Sequence, residues 1–190
     1  MRIVLFAAFA LLLSLSACNK KTNAKKPEPQ KGKVVVREHG ATNTQQSSAT
    51  PAAPAAGTQL ATDLALIKDY IKTNKLKKVE QTASGIHYII ENPGSGARPN
   101  TKSTVKCHYK GTLLDGTEFD SSYKRNAPID FPLMGVIKGW QEAIPLLTKG
   151  GKGKFIIPSE LAYGSKQMGA LIKPNSVLVF DVELLDVINK

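Results

Sequence analysis

From residue 85 onward the apolar side chains fall into period two, and this alternation narrows the fold more than any other feature of the chain. Ile86, Tyr88 and Ile90 alternate along one run, which Asn92-Pro93-Gly94-Ser95-Gly96 then breaks. Over 103–112, Val105, Cys107 and Tyr109 share one strand face, with Lys106, His108 and Lys110 on the other, solvated face. Leu114-Asp115-Gly116 is a hairpin turn signal leading into a strand over 117–121. After a loop, residues 139–147 predict a short helix with Trp140, Ile144 and Leu147 on one side. Pro145 lies inside that helix and should distort it, because it removes a backbone donor and disfavours a helical Ile144. Strands over 154–158 and 177–187 follow, the latter turning Leu178, Phe180, Val182 and Leu184 inward. Antiparallel strands around one short helix make an α+β half-barrel.

The region before residue 85 obeys different rules. Residues 19–57 are rich in Lys, Thr, Gln, Ala, Pro and Gly and hold almost no bulky apolar side chains beyond Val34, Val35 and Val36. Such a segment cannot bury enough apolar surface to offset the entropy of ordering it, so it reads as a flexible, disordered tail. As a coil of about 40 residues it would span on the order of 35 Å. A helix is expected from Thr58, with Leu60, Leu64, Ile67 and Ile71 at helical spacing, Asp63, Lys68, Asp69 and Lys72 on the other faces, and Asn74 as the stop. The narrow apolar stripe suits docking on the domain or on a second copy of itself. Of the formal +11 charge, residues 18–57 hold seven Lys/Arg against two acids, whereas residues 85–190 hold thirteen against ten. About half of the excess therefore belongs to the tail, and the domain itself is nearly balanced. Anionic head groups, or plain solvation, explain it better than specific nucleic-acid binding.

Residues 1–17 begin with Arg2, continue with the apolar run Ile3 to Leu13, and end in small residues before Cys18. The run is too short to span a bilayer and reads as a signal peptide. Leu15-Ser16-Ala17-Cys18 resembles a bacterial lipobox, which implies a mature chain that starts at a lipidated Cys18 and is membrane-anchored in the bacterial cell envelope, facing the periplasm or the exterior. The other cysteine, Cys107, reads as a small buried residue, so no disulfide framework is expected. The organisation is then 1–17 signal peptide, 18–57 lipidated N-terminus and linker, 58–84 amphipathic helix and connection, and 85–190 folded domain.

Two longer blocks suggest what the domain does. Tyr109 at a strand end, the turn Leu114-Asp115-Gly116, the run Phe119-Asp120-Ser121-Ser122, Arg125 and Gly135-Val136-Ile137-Lys138-Gly139-Trp140 form the first. Ile157-Pro158-Ser159-Glu160-Leu161-Ala162-Tyr163-Gly164 arrives seventeen residues after the Trp and forms the second. Together they resemble FKBP-type peptidyl-prolyl cis/trans isomerases, over residues 85 to 190. The resemblance implies an antiparallel half-barrel wrapped around one helix, with Trp140 as the floor under a proline ring and Tyr109, Phe119 and Phe180 as walls. It also implies Val136 and Ile137 at the rim, the Ile137 N–H and the Tyr163 hydroxyl as donors to substrate carbonyls, Asp120 as an acceptor, and Arg125 as its support. Leu171 and Ile172 would lie on an overhanging loop. Ile129 would be a further lining residue, at a position where many members carry an aromatic wall. Relatives with a longer N-terminal helix dimerise through it; the short helix here favours docking or weak self-association.

The chemistry implied needs no metal, cofactor or nucleophile. Rotating an X-Pro amide breaks its resonance against a barrier of about 18–20 kcal/mol, and a dry apolar pocket favours the less polar twisted state. Pro-containing polypeptides are the expected substrates, and a macrolide ligand is a further expectation from the resemblance. A tethered chaperone that holds Pro-containing segments with little catalysis is the alternative. Hydrolase chemistry lacks its motifs: there is no G-x-S-x-G, H-E-x-x-H or G-x-x-x-x-G-K-[ST], and His39, His87 and His108 have no metal-ligand spacing.

Overall fold

The computed structural model describes residue 55 and residues 57–189, so Cys18 and the segments expected as signal peptide and tail lie outside the described residues. Helix α1 (Gln59–Thr73) is capped by Thr58, whose Oγ1 accepts the Ala61 N–H at 3.2 Å, and it ends at Asn74. Seven strands follow: β1 (Glu80–Gln81), β2 (His87–Asn92), β3 (Thr104–Leu113), β4 (Glu118–Ser121), β5 (Ile129–Pro132), β6 (Lys152–Ile157) and β7 (Leu178–Ile188). They form one antiparallel sheet in the order β1-β2-β6-β7-β3-β4. The long central pair β3 and β7 runs from Thr104 opposite Ile188 to Leu113 opposite Leu178.

Strand β3 is split between two partners along its other edge. Its start pairs with β5, which sequence reasoning had expected to be loop, and its end pairs with β4. Pro128 and Pro132 bracket β5 and hide a strand this short, yet Ile129 and Phe131 alternate with the exposed Asp130 as a strand requires. Between β4 and β5, Ser122 closes the gap in the ladder. Its N–H donates to the Tyr109 carbonyl at 3.0 Å, and its Oγ accepts the Tyr109 N–H at 2.8 Å.

One face of the sheet wraps around helix α2 (Lys138–Ala143), which continues as a 3₁₀ turn over Ile144–Leu146 where Pro145 interrupts the α-helical pattern. Gly139 lets this helix press against β6, since a Cβ there would overlap Ile157 Cγ2. The main core lies between them and includes Val105, Cys107, Trp140, Ile144, Leu147, Phe155, Leu178 and Leu184. Burial pushes the Cys107 thiol up to about 12, as befits a packing residue.

The opposite face carries a smaller core, where Ile67 of α1 meets Ile156, Val177 and Val179. Helix α1 is therefore docked on the sheet through its apolar stripe. Two side chains differ from their expected solvated positions. Asp63 is completely buried, because both its oxygens find donors in the domain and in α1. His108 is half-buried, stacked on Tyr123 with ring centroids 4.6 Å apart and hydrogen-bonded through Nδ1 to Ser122 Oγ at 2.9 Å.

Because Ile67 is fully enclosed between helix and sheet, Ile67→Ala is expected to lower the free energy of unfolding by about 2–4 kcal/mol in urea denaturation. A loss of only a few tenths would mean that α1 rests on the sheet without sharing its core.

Candidate active site

The aromatic side chains converge on a cavity of about 340 Å³ lined by Tyr109, Phe119, Asp120, Phe131, Gly135, Val136, Ile137, Trp140, Tyr163 and Phe180. Trp140 is 4% exposed and meets three rings edge to face: Tyr109 at 5.3 Å, Phe131 at 5.2 Å and Phe180 at 5.3 Å between centroids. Phe119 in turn meets Phe180 at 5.6 Å and 84°. This arrangement sets the positive edge of one ring on the negative face of the next and adds about 0.5–1.5 kcal/mol per pair beyond simple burial. Each ring comes from a different element, so the cup exists only when β3, β4, β5, β7 and α2 are assembled. Gly111 on β3 makes room for two of the rings, since a Cβ there would stand 2.5 Å from Phe119 Cε2 and Cζ and 3.0 Å from Phe180 Cε1.

Polar groups occupy one side of the cup. Tyr109 donates its hydroxyl hydrogen to Asp120 Oδ2, Arg125 Nη1 pairs with Asp120 Oδ1, and Arg125 Nη2 donates to the Tyr109 oxygen at 2.9 Å. Asp120 Oδ1 also accepts the Ser121 N–H at 2.8 Å. Burial, then the hydrogen bond to Asp120, pushes the Tyr109 phenol up to about 12, so it stays a donor at any physiological pH. Burial pushes the Asp120 carboxyl upward, but the hydrogen bonds from Tyr109 and Arg125 outweigh it and hold the group below its ordinary value of 3.8. A fixed negative charge thus sits at the edge of an otherwise apolar cavity.

At the rim, the peptide between Val136 and Ile137 is held by Gln141, whose Nε2 donates to the Val136 carbonyl at 2.8 Å. Carbonyl and N–H point opposite ways across a trans peptide. Gln141 therefore turns the Ile137 N–H away from itself, and among the described residues that N–H donates to no acceptor. Tyr163 follows the 3₁₀ turn Ser159–Leu161 and lines the cavity from the other side.

Of the residues expected at the site, Tyr109, Phe119, Asp120, Val136, Ile137, Trp140, Tyr163 and Phe180 line the cavity, and Arg125 holds Asp120 from beside it. Three others do not line it. Ile129 packs into the core, and the aromatic wall is supplied by Phe131, two residues along β5. Ile172 is buried in the core, where its backbone bridges Met168, and Leu171 is exposed on the loop between them. Phe131 and Gln141 are missing from the sequence reading, and Gly135 appears there only as part of its block. The inward alternation of Ile129 and Phe131 was the available signal for Phe131; Gln141 acts only through a backbone carbonyl and left none.

A model of the FKBP-type peptidyl-prolyl cis-trans isomerase family matches residues 96–185. A peptidyl-prolyl cis-trans isomerase structure from Pseudomonas syringae pv. tomato is 36% identical, superposes with a TM-score of 0.59, and is covered over 95% of its own length and 67% of this chain. The chain belongs to the FKBP-type isomerase family. The crystal structure of FkpA from Escherichia coli is similar at 46% identity and a TM-score of 0.60, over 68% of this chain and 62% of that one. The FKBP-type isomerase FkpA of Buchnera aphidicola subsp. Acyrthosiphon pisum is 47% identical over 121 residues, 63% of this chain and 50% of its own. The chain spans about half the length of such curated relatives. Its FKBP-type domain carries the aromatic cup described above.

The depressed Asp120 carboxyl fixes the sign of a pH effect. Its contribution to stability is present above the ordinary carboxylate range, near 4, and is lost as pH falls through the lower folded value. The melting temperature should therefore exceed that of Asp120→Asn at pH 7, and the difference should shrink only below about pH 4. A difference that vanishes already at pH 6 would contradict the charged Asp120 network.

Proposed function

We propose that this chain is a peptidyl-prolyl cis/trans isomerase that accelerates X-Pro rotation in folding envelope or secreted proteins. The observation that carries the reading is the cavity floored by Trp140, walled by four further rings, and bearing a charged Asp120 and an unpartnered Ile137 N–H at its edge. The proline ring seats on the Trp140 indole between Tyr109, Phe119, Phe131 and Phe180. Excluding water from the amide disfavours its planar, more polar form relative to the twisted one. The Ile137 N–H holds one substrate carbonyl and the Tyr163 hydroxyl another, so that rotation proceeds about a fixed end of the bond. Asp120 accepts from Tyr109 and Arg125, which keeps the phenol ring in place as a wall and presents a negative edge to the rotating amide. No proton changes hands and no bond other than the amide's partial double bond is weakened. A macrolide of matching size would compete for the same seat.

The N-terminal organisation extends this reading: residues 1–17 direct export, Cys18 is lipidated, and the basic segment 18–57 tethers the amphipathic helix and connection at 58–84 and the domain at 85–190 to the membrane surface of the cell envelope. The lipobox-like Leu15-Ser16-Ala17-Cys18 and the basic residues that follow it support this. Among the described residues no helix is long and apolar enough to cross a membrane.

Two measurements test the proposal. The full chain should speed cis-to-trans relaxation of short X-Pro peptides, and Asp120→Ala should lower kcat/KM by about tenfold, whereas a folded protein no faster than buffer would overturn the assignment. Metabolic labelling with a fatty acid should mark the protein but not Cys18→Ser; equal labelling of both would remove the lipid anchor.

A further inference from the structure

The buried acid of helix α1 is tied to the turn that carries Tyr163. Asp63 is fully enclosed, and its Oδ2 accepts both the Ser159 N–H and the Ser159 hydroxyl at 2.7 Å each, while Gln59 Nε2 donates to Oδ1 at 2.7 Å. Ser159 is likewise fully buried. Its carbonyl then accepts the N–H of Ala162 at 2.9 Å and of Gly164 at 2.8 Å, the two residues that flank Tyr163. One serine residue is thus held by the helix through its N–H and hydroxyl and holds the backbone on both sides of the tyrosine through its carbonyl. Beyond Tyr163, the Gly164 carbonyl accepts the Asn175 N–H at 2.7 Å, which fixes the far end of the segment to the approach to β7.

A carboxylate placed fully inside a protein is costly unless its oxygens are satisfied, and hydrogen bonds from charged groups are shorter and stronger than neutral ones. Apolar contact of Ile67 with Ile156, Val177 and Val179 already packs α1 on the sheet. The acid at position 63 adds to that apolar contact a direct polar tie between α1 and Ser159.

We propose that Asp63 is a positioning residue of the isomerase site, which sets the Tyr163 hydroxyl relative to the Trp140 floor by clamping the Ser159–Gly164 turn from helix α1. The proposal rests on Tyr163 serving the isomerase pocket, and it makes α1 a working part of that pocket. Catalytic groups displaced by a fraction of an ångström lose much of their effect, and the Ser159 turn joins α1 to the backbone on both sides of Tyr163.

The test is a double-mutant cycle on the full chain, read by kinetics and by the NMR signal of fluorotyrosine at position 163, identified by its loss in Tyr163→Phe. Asp63→Ala is expected to lower kcat/KM about tenfold in the native background and to change it little in the Tyr163→Phe background, because the group it positions is already gone. The Tyr163 signal should shift in Asp63→Ala while that of Tyr109 stays. Asp63→Asn, which keeps one acceptor for Ser159, should recover part of the rate. If Asp63→Ala does not fold, Ser159→Ala, which keeps the amide bond to Asp63 and loses only the hydroxyl bond, carries the same comparison with a smaller loss. Equal losses in both backgrounds, or an unmoved Tyr163 signal in a folded variant, would overturn the proposal. A wild-type chain without isomerase activity would remove the function while leaving the NMR signal to decide the clamp.

Discussion

Trp140 is where the fold and the site meet. Its indole is buried on the first turn of α2 and touches Tyr109, Phe131 and Phe180 edge to face, so three strands are registered against one side chain. That contact requires α2 to lie close against β6, which Gly139 permits, and it requires β3 to carry no side chain where Phe119 and Phe180 cross, which Gly111 provides. Enlarging Gly139 pushes on Ile157 beneath the helix, and enlarging Gly111 pushes on Phe119 and Phe180. The cup's shape is accordingly a property of the whole sheet and not of any loop. Its residues come from sequence positions as distant as Tyr109 and Phe180.

The charged groups of this apolar cup sit at one edge. The Tyr109, Asp120 and Arg125 network satisfies every strong donor and acceptor it brings inside, so the charge of Asp120 stays without an uncompensated burial cost. Ser122 performs the corresponding service for the backbone of Tyr109, taking the place of a strand partner between β4 and β5. The rim then offers a peptide N–H already turned outward by Gln141. Preorganisation of this kind means that little has to move when an amide enters.

Much of the scaffold was legible in the sequence because it rests on short-range periodicity. Alternation over Val105, Cys107 and Tyr109 and over Leu178, Phe180, Val182 and Leu184 marked β3 and β7, helical spacing from Leu60 to Ile71 marked α1, and Pro145 marked the change of helix type. What escaped depends on partners far away in the chain. Asp63 looked like a solvent-facing helix residue since its partner in the domain, Ser159, lies 96 residues later. His108 looked solvated because its stacking partner Tyr123 reaches it across the turn after β4. Strand β5 was hidden by its two prolines, and with it Phe131, so Ile129, on the same face but outside the cavity, was read as a lining residue and the ring of Phe131 was missed.

The central claim is that rotation occurs in a dry, ring-lined cup with no transfer of a proton. Comparing kcat/KM for an X-Pro peptide in light and heavy water, across pH 6 to 9, tests it most directly. Equal rates in the two solvents and a flat pH profile are predicted, since Tyr109 stays protonated and Asp120 charged over that range. A markedly slower reaction in heavy water, or a rate that follows a titration within that range, would contradict it.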